Sequence, residues 1–131
     1  MPGRAIYSLL TNDATVSGLV GTRVYPGMAP QGCARPFIVY QRVSGEAYPD
    51  LDGMTGIVKS RVQIDCYANT YQAASALYAA AIAALDVSPG TYGGIELASI
   101  LRDTAPQDFI ETEVDPKLYR VQQDFSAIYA E

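Results

Sequence analysis

Histidine does not occur among the 131 residues, which removes the usual general base, the commonest metal ligand and any Ser-His couple. The groups left for chemistry are carboxylates and two thiols. Asp50 and Asp52 stand two apart in a glycine-rich stretch and resemble half of a cation-binding loop, but no later Glu completes the pattern. Asp103, Asp108, Glu111, Glu113 and Asp115 form a loose acidic run. Such runs read first as solvated loop, and no pair in this one stands out for two-carboxylate hydrolysis. Cys33 and Cys66 lie far apart and form no CxxC pair, so neither a structural zinc site nor a disulfide framework is expected. Gly90-Thr91-Tyr92-Gly93-Gly94 lacks the spacing of a phosphate-binding loop. No catalytic, metal or cofactor site emerges, and attention moves to residues suited to contact.

One such set is written twice. Residues 61–65 read Arg-Val-Gln-Ile-Asp and residues 120–124 read Arg-Val-Gln-Gln-Asp. In a strand, alternate residues share a face. Arg61, Gln63 and Asp65 therefore oppose Val62, Ile64 and Cys66, and Arg120, Gln122 and Asp124 oppose Val121 and Phe125. If the two strands are antiparallel neighbours, the expected register sets Arg61 against Asp124, Gln63 against Gln122 and Asp65 against Arg120. A parallel pairing would set like charges opposite, which destabilises. The polar face is either an interaction surface or a water-facing sheet side.

The elements that must carry these faces follow from periodicity. Ile6, Leu9 and Leu10 predict a helix over about 3–11, and Val16, Leu19 and Val20 a helical turn over 13–20 behind an Asp13 cap. The proline- and glycine-rich stretch 22–36 leaves room for one short edge strand near Arg23–Tyr25. Phe37–Val43 is a strand, apolar on both faces at its start and so central in the sheet. Residues 44–56 form a long loop or hairpin tip, and Ile57–Ala68 the second long strand. Asn69-Thr70 caps a helix over about 71–86, whose stripe Ala74, Leu77, Tyr78, Ala81, Ile82 and Leu85 faces the sheet. Gly93-Gly94 is a turn or bulge, Ile95–Arg102 a strand, 104–116 a loop, and Lys117–Tyr129 the last long strand. The fold class is α+β: a single two-layer domain over residues 1–131, with a mostly antiparallel mixed sheet of about 4–5 strands. One long helix packs on one face, beside a short N-terminal helix.

Composition supports a globular chain that can bury roughly two-thirds of its unfolded surface, with 49% hydrophobic and 18% charged residues. The formal charge of −5 argues against a general nucleic-acid-binding surface, which needs clustered Lys and Arg. No secretory signal is expected after Met1-Pro2-Gly3-Arg4, and the apolar run Ala76–Leu85 is too short to span a bilayer. A soluble protein made inside the cell, with no membrane partner, is the expectation. Ten tyrosines and no tryptophan, with Tyr67, Tyr71 and Tyr78 near the strand-to-helix junction, suit either a core rim or subunit contacts.

Taken in series, LLTNDATVSGLVGTRVYPGMAPQG, PFIVYQRVSGE, RVQIDCYANTYQAASALYAAAIAALD, the Gly-Gly turn and LYRVQQDFSAIY resemble the tail-completion or tail-terminator family of siphovirus-like phages, prophages and gene transfer agents. The resemblance runs from Ala5 to Tyr129, and its most specific parts are the strand-cap-helix unit 61–85 and the closing RVQ-x-DF. It implies a structural virion-assembly protein rather than an enzyme, made in the bacterial host cytoplasm and placed at the head-proximal end of the tail. It further implies a hexameric ring on the tail tube that ends tube polymerisation and joins the head-side connector or stopper protein, with DNA passing through the lumen. Partners would be other copies of itself, the tail-tube protein and the connector. Six copies at −5 each carry a formal −30, suited to a channel to which DNA must not adhere. The expected interface comprises Arg61, Gln63, Asp65, Arg120, Gln122 and Asp124 on the strands, with Glu46, Asp50, Asp52, Asp108, Glu111 and Glu113 in the two long loops. A head-completion protein of the same particle, or a small α+β ligand-binding module or enzyme, is the alternative.

Overall fold

The computed structural model describes residues 3–47, 57–103, 105–111 and 117–130, and the side chains of all of these except 44–47 and 111. Two helices open the chain, α1 (Gly3–Asn12) and α2 (Ala14–Val20). Asp13 separates them as expected: its side chain accepts a hydrogen bond from Val16 N at 3.0 Å, satisfying one of the first free N–H groups of α2. Gly21 ends α2 with φ +60°, a conformation open to glycine at little cost.

The strands are β1 (Val24–Pro26), β2 (Phe37–Ala47), β3 (Ile57–Ala68), β4 (Gly90–Tyr92), β5 (Ile95–Arg102), β6 (Gln107–Glu111) and β7 (Leu118–Ala130). They form one sheet in the order β1-β2-β3-β7-β5-β4, with β6 on the same side of β7 as β5. Among the described strands only the β1–β2 pair is parallel. The third helix, α3 (Tyr71–Leu85), is capped by Thr70, whose hydroxyl accepts from Ala73 N at 3.1 Å.

All three helices lie on one face. Ile6, Leu10, Val16, Val20, Leu77, Ala81 and Leu85 meet Val62, Ile64, Cys66, Phe125, Ala127 and Tyr129 in a continuous core. Alanines at 74, 81 and 84 are buried against the sheet and let α3 lie close to it. Cys66 behaves as the expected small hydrophobe: it is fully buried, and burial, with Asp65 adding to it, pushes its thiol pKa far up. Two buried polar contacts brace this core. Ser60 and Tyr129 share a hydrogen bond of 2.9 Å, and Tyr78 Oη donates to Gln123 Oε1 at 2.8 Å.

Among the described residues the sheet has seven strands, not the 4–5 expected, and the helices number three. The two unforeseen strands are β4 and β6, and both depend on a neighbour. β4 is the short arm of a hairpin closed by Gly93 and Gly94 at φ +58° and +82°, the two-residue turn that matches strand twist. A Cβ on Gly93 would stand 2.4 Å from the Arg4 carbonyl oxygen, so this turn is seated against α1. β6 lies in the stretch read as an acidic loop. β5 covers β7 only from Phe125 to Ala130, and Gln107–Glu111 fill the edge left open at Leu118–Gln122; ladder hydrogen bonds outweigh weak local preference here. β2 also runs on to Ala47, which shortens the expected 44–56 loop.

Candidate functional site

The strand pair β3–β7 lies at the centre of the sheet and is antiparallel, as the near-repeat implied, and the polar residues share the bare face. The register differs by two residues. Arg61 faces Ser126, Gln63 faces Asp124, Asp65 faces Gln122 and Tyr67 faces Arg120. The physical reason lies on the other face: the shift sets Val62 against Phe125 and Cys66 against Val121, and core packing outweighs exposed charge pairing of about 0.2–1 kcal/mol. The charge pair forms all the same, on the diagonal. Arg61 reaches Asp124 Oδ2 from Nε at 3.1 Å and from Nη2 at 2.9 Å, with Asp103 at 3.6 Å.

Asp65 is the unusual member. It is only 3% exposed although no helix covers its face. Gln63 Nε2 donates to Oδ2 at 3.1 Å, while Oδ1 has no hydrogen-bond partner among the described residues. Burial raises its pKa, opposed by Gln63, Arg120 and Gln122. Beside it runs a row that sequence reasoning missed. Phe37, Tyr67, Arg120 and Phe109 stand opposite one another on β2, β3, β7 and β6. Phe37 and Tyr67 stack with centroids 4.6 Å apart, and the Arg120 guanidinium lies 4.2 Å from the Phe109 ring and 5.9 Å from Tyr67. Tyr25 on β1 extends the row at 6.3 Å from Phe37. The usable signal was parity at Tyr67, which alternates in phase with Arg61, Gln63 and Asp65; Phe37 and Phe109 join the row only through the strand registers.

Of the expected interface residues, Arg61, Gln63, Asp65, Arg120, Gln122 and Asp124 are thus brought together. Asp108 is not; it lies opposite Val121 and accepts a hydrogen bond from Tyr71 Oη at 3.2 Å at the end of α3. The backbones of Glu46 and Glu111 belong to β2 and β6, and Asp50, Asp52 and Glu113 lie outside the described residues. Topology nevertheless separates the two acidic stretches. The chain leaves β2 at Ala47 and returns at Ile57, beside Ala130 at one end of the central pair. It leaves β6 at Glu111 and returns at Leu118, beside Ala68 at the other end. Residues 44–56 carry three acidic groups and 103–116 five, with no Lys or Arg in either, so the rest of the chain carries a formal +3.

The family model for tail completion protein gp17 matches residues 4–130. The chain belongs to that family. No curated protein matches it. Among solved structures, a chain from the virion of a native gene transfer agent particle is similar at a TM-score of 0.70 and 19% identity, over 97% of this chain and 92% of that one. At that identity the likeness speaks for the fold. For this tail-completion family member the described residues hold no cluster of three or more His, Cys, Asp or Glu able to bind a metal ion. Nor is any helix among them long and apolar enough to cross a membrane.

Proposed function

We propose that six copies of this chain form a ring on the head-proximal end of a tail tube, ending tube growth and joining the tail to the head-side connector, without catalysis. Family membership over residues 4–130 carries the reading. The topology supports it, since the two acidic connections open at opposite ends of the sheet and can each meet a different partner. The bare face would turn to the channel. Its charges are largely matched within the chain, Arg61 with Asp124, so it presents little net field to passing DNA. Contacts to tube and connector would use Glu46, Asp50, Asp52, Asp108, Glu111 and Glu113, with Arg61, Gln63, Asp65, Arg120, Gln122 and Asp124 on the channel face.

Deleting the gene in the parent genome and imaging the products by electron microscopy tests this. Overlong, headless tubes beside full heads are expected. Tails of normal length separate from heads would move the protein to the head side, and intact infectious particles would end the assembly reading.

A further inference from the structure

Both outermost strands are three residues long and cover less than half of their neighbour. β1 pairs with Ile38–Tyr40 of β2, and no described strand flanks β2 from Gln41 to Ala47 on that side. β4 pairs with Ile95–Leu97 of β5, and Ala98–Arg102 are likewise unflanked. β1 sits near the Phe37 end of the sheet and β4 near the Ala47 end. The outline is therefore stepped, with opposite corners protruding on opposite edges.

The vacant halves have a common character. Val43 on β2 is 52% exposed and Leu101 on β5 is 66% exposed. A cavity of about 200 Å³ by Ile82, Leu85 and Ile100 includes Leu101 in its wall, and one of about 370 Å³ by Pro26, Gly27, Tyr40 and Arg42 lies at the start of the vacant half of β2. An open strand edge with apolar side chains is a template for another strand, and proteins usually blunt it. β1 is blunted: Val24 N donates to Thr22 O, and Pro26 has no N–H while its O accepts from Met28 N. The vacant halves of β2 and β5 carry no such local bonds among the described residues; each is interrupted by one register shift, between Arg42 and Ser44 and between Leu97 and Ser99, and is otherwise open.

We propose that copies of this chain join as a dovetail, β4 of one copy entering the vacant half of β2 in the next, and β1 of that next copy lying along the vacant half of β5. Strand directions agree. β1, β2, β7 and β4 run one way and β3, β5 and β6 the other, so β4 meets β2 in parallel and β1 meets β5 antiparallel. The offset that brings Thr91 beside Val43 is four to five residues, roughly 15 Å along the strands.

Hydrogen bonds across the joint come from β4. Its two-residue turn directs the Tyr92 and Gly90 backbone groups to β5, so alternation leaves those of Thr91 facing outward. On β2 the bonds Ile38 N to Arg23 O and Gly27 N to Tyr40 O fix the outward phase, which continues at Arg42. The blunted β1 contributes side-chain contact with Leu101. Two unlike edges make a heterologous, head-to-tail contact, the kind that closes into rings. The inference deepens the ring reading and rests on it only for the number of copies.

The test is Thr91→Cys combined with Val43→Cys in a Cys33→Ser background, treated in intact particles with a short bis-maleimide and read on a denaturing gel. The double variant should give a ladder of covalent multimers and each single variant only monomer. Monomer alone from particles that contain the double variant would overturn the joint. Should that variant fail to enter particles, Leu101→Glu serves instead. Its thermal midpoint should be unchanged while head-joined tails fall at least tenfold, and an undiminished yield would overturn the joint equally. Cross-linking together with normal tails after gene deletion would keep the joint and remove the terminator role. Overlong tails on deletion without cross-linking would do the reverse.

Discussion

The two faces of the sheet are built from the same strands, residue by residue in alternation, yet they obey different rules. On the helix side every second residue of β7 from Val121 to Tyr129 is buried, and each substitution there meets a close-packed neighbour. On the bare side the intervening residues are half-exposed and held by a stacked row, one ion pair and one buried carboxylate. The helix side sets whether the chain folds. The bare side can vary its chemistry at small cost in stability, which is what a contact surface requires.

Substitutions on the helix side should give the largest effect. Ile64→Ala is expected to lose about 3 kcal/mol in denaturant unfolding, because Ile64 is 2% exposed and the cavity left cannot fill; a loss below about 1 kcal/mol would make that face as permissive as the other. Next comes Gln123→Leu, which removes a buried amide from the helix side. It should cost about 1–2 kcal/mol by stranding the Tyr78 hydroxyl. Adding Tyr78→Phe should recover part of that loss, and strict additivity of the two changes would refute the coupling.

Asp65 sharpens the contrast through pH. Because burial raises its pKa, the folded chain loses stability as pH rises from about 4, the ordinary carboxylate range, through the folded value. Asp65→Asn escapes that loss, so its thermal midpoint should gain on the native chain from about pH 3 to pH 7. A gap that does not change with pH would mean that Asp65 carries no burial penalty. The smallest effect belongs to Arg61→Ala. Its side chain is 42% exposed, and a double-mutant cycle with Asp124 should measure about 0.5 kcal/mol, shrinking in high salt.

Much of this division was legible in the near-repeat. Alternation in RVQID and RVQQD assigned both faces, the charges favoured an antiparallel pairing should the strands be neighbours, and the Thr70 cap and the α3 stripe followed from local rules. Register did not follow, because it depends on how Val62 and Phe125 pack beneath α3 rather than on the charges in view. β6 was hidden for a related reason: Gln107–Glu111 become a strand only beside the open edge of β7, a long-range partner that no local window contains. The polar letter in second-to-last place, Gln123 where the first copy has Ile64, marked a site of long-range contact, since it stands opposite Ile64 and reaches Tyr78. Tyr67 had the right parity for the bare face, but only the fold shows that Arg120 lies between it and Phe109.

The placement of the two acidic connections at opposite ends of β3 and β7 has a mechanical consequence. Tension applied between those ends runs along the two strands and loads their twelve partner pairs, Ile57–Ala130 to Ala68–Tyr119, side by side. Such a lap joint yields only when many hydrogen bonds slide together, whereas strands peeled from one end part bond by bond. The sheet is strongest along the line joining the two surfaces it would have to hold together.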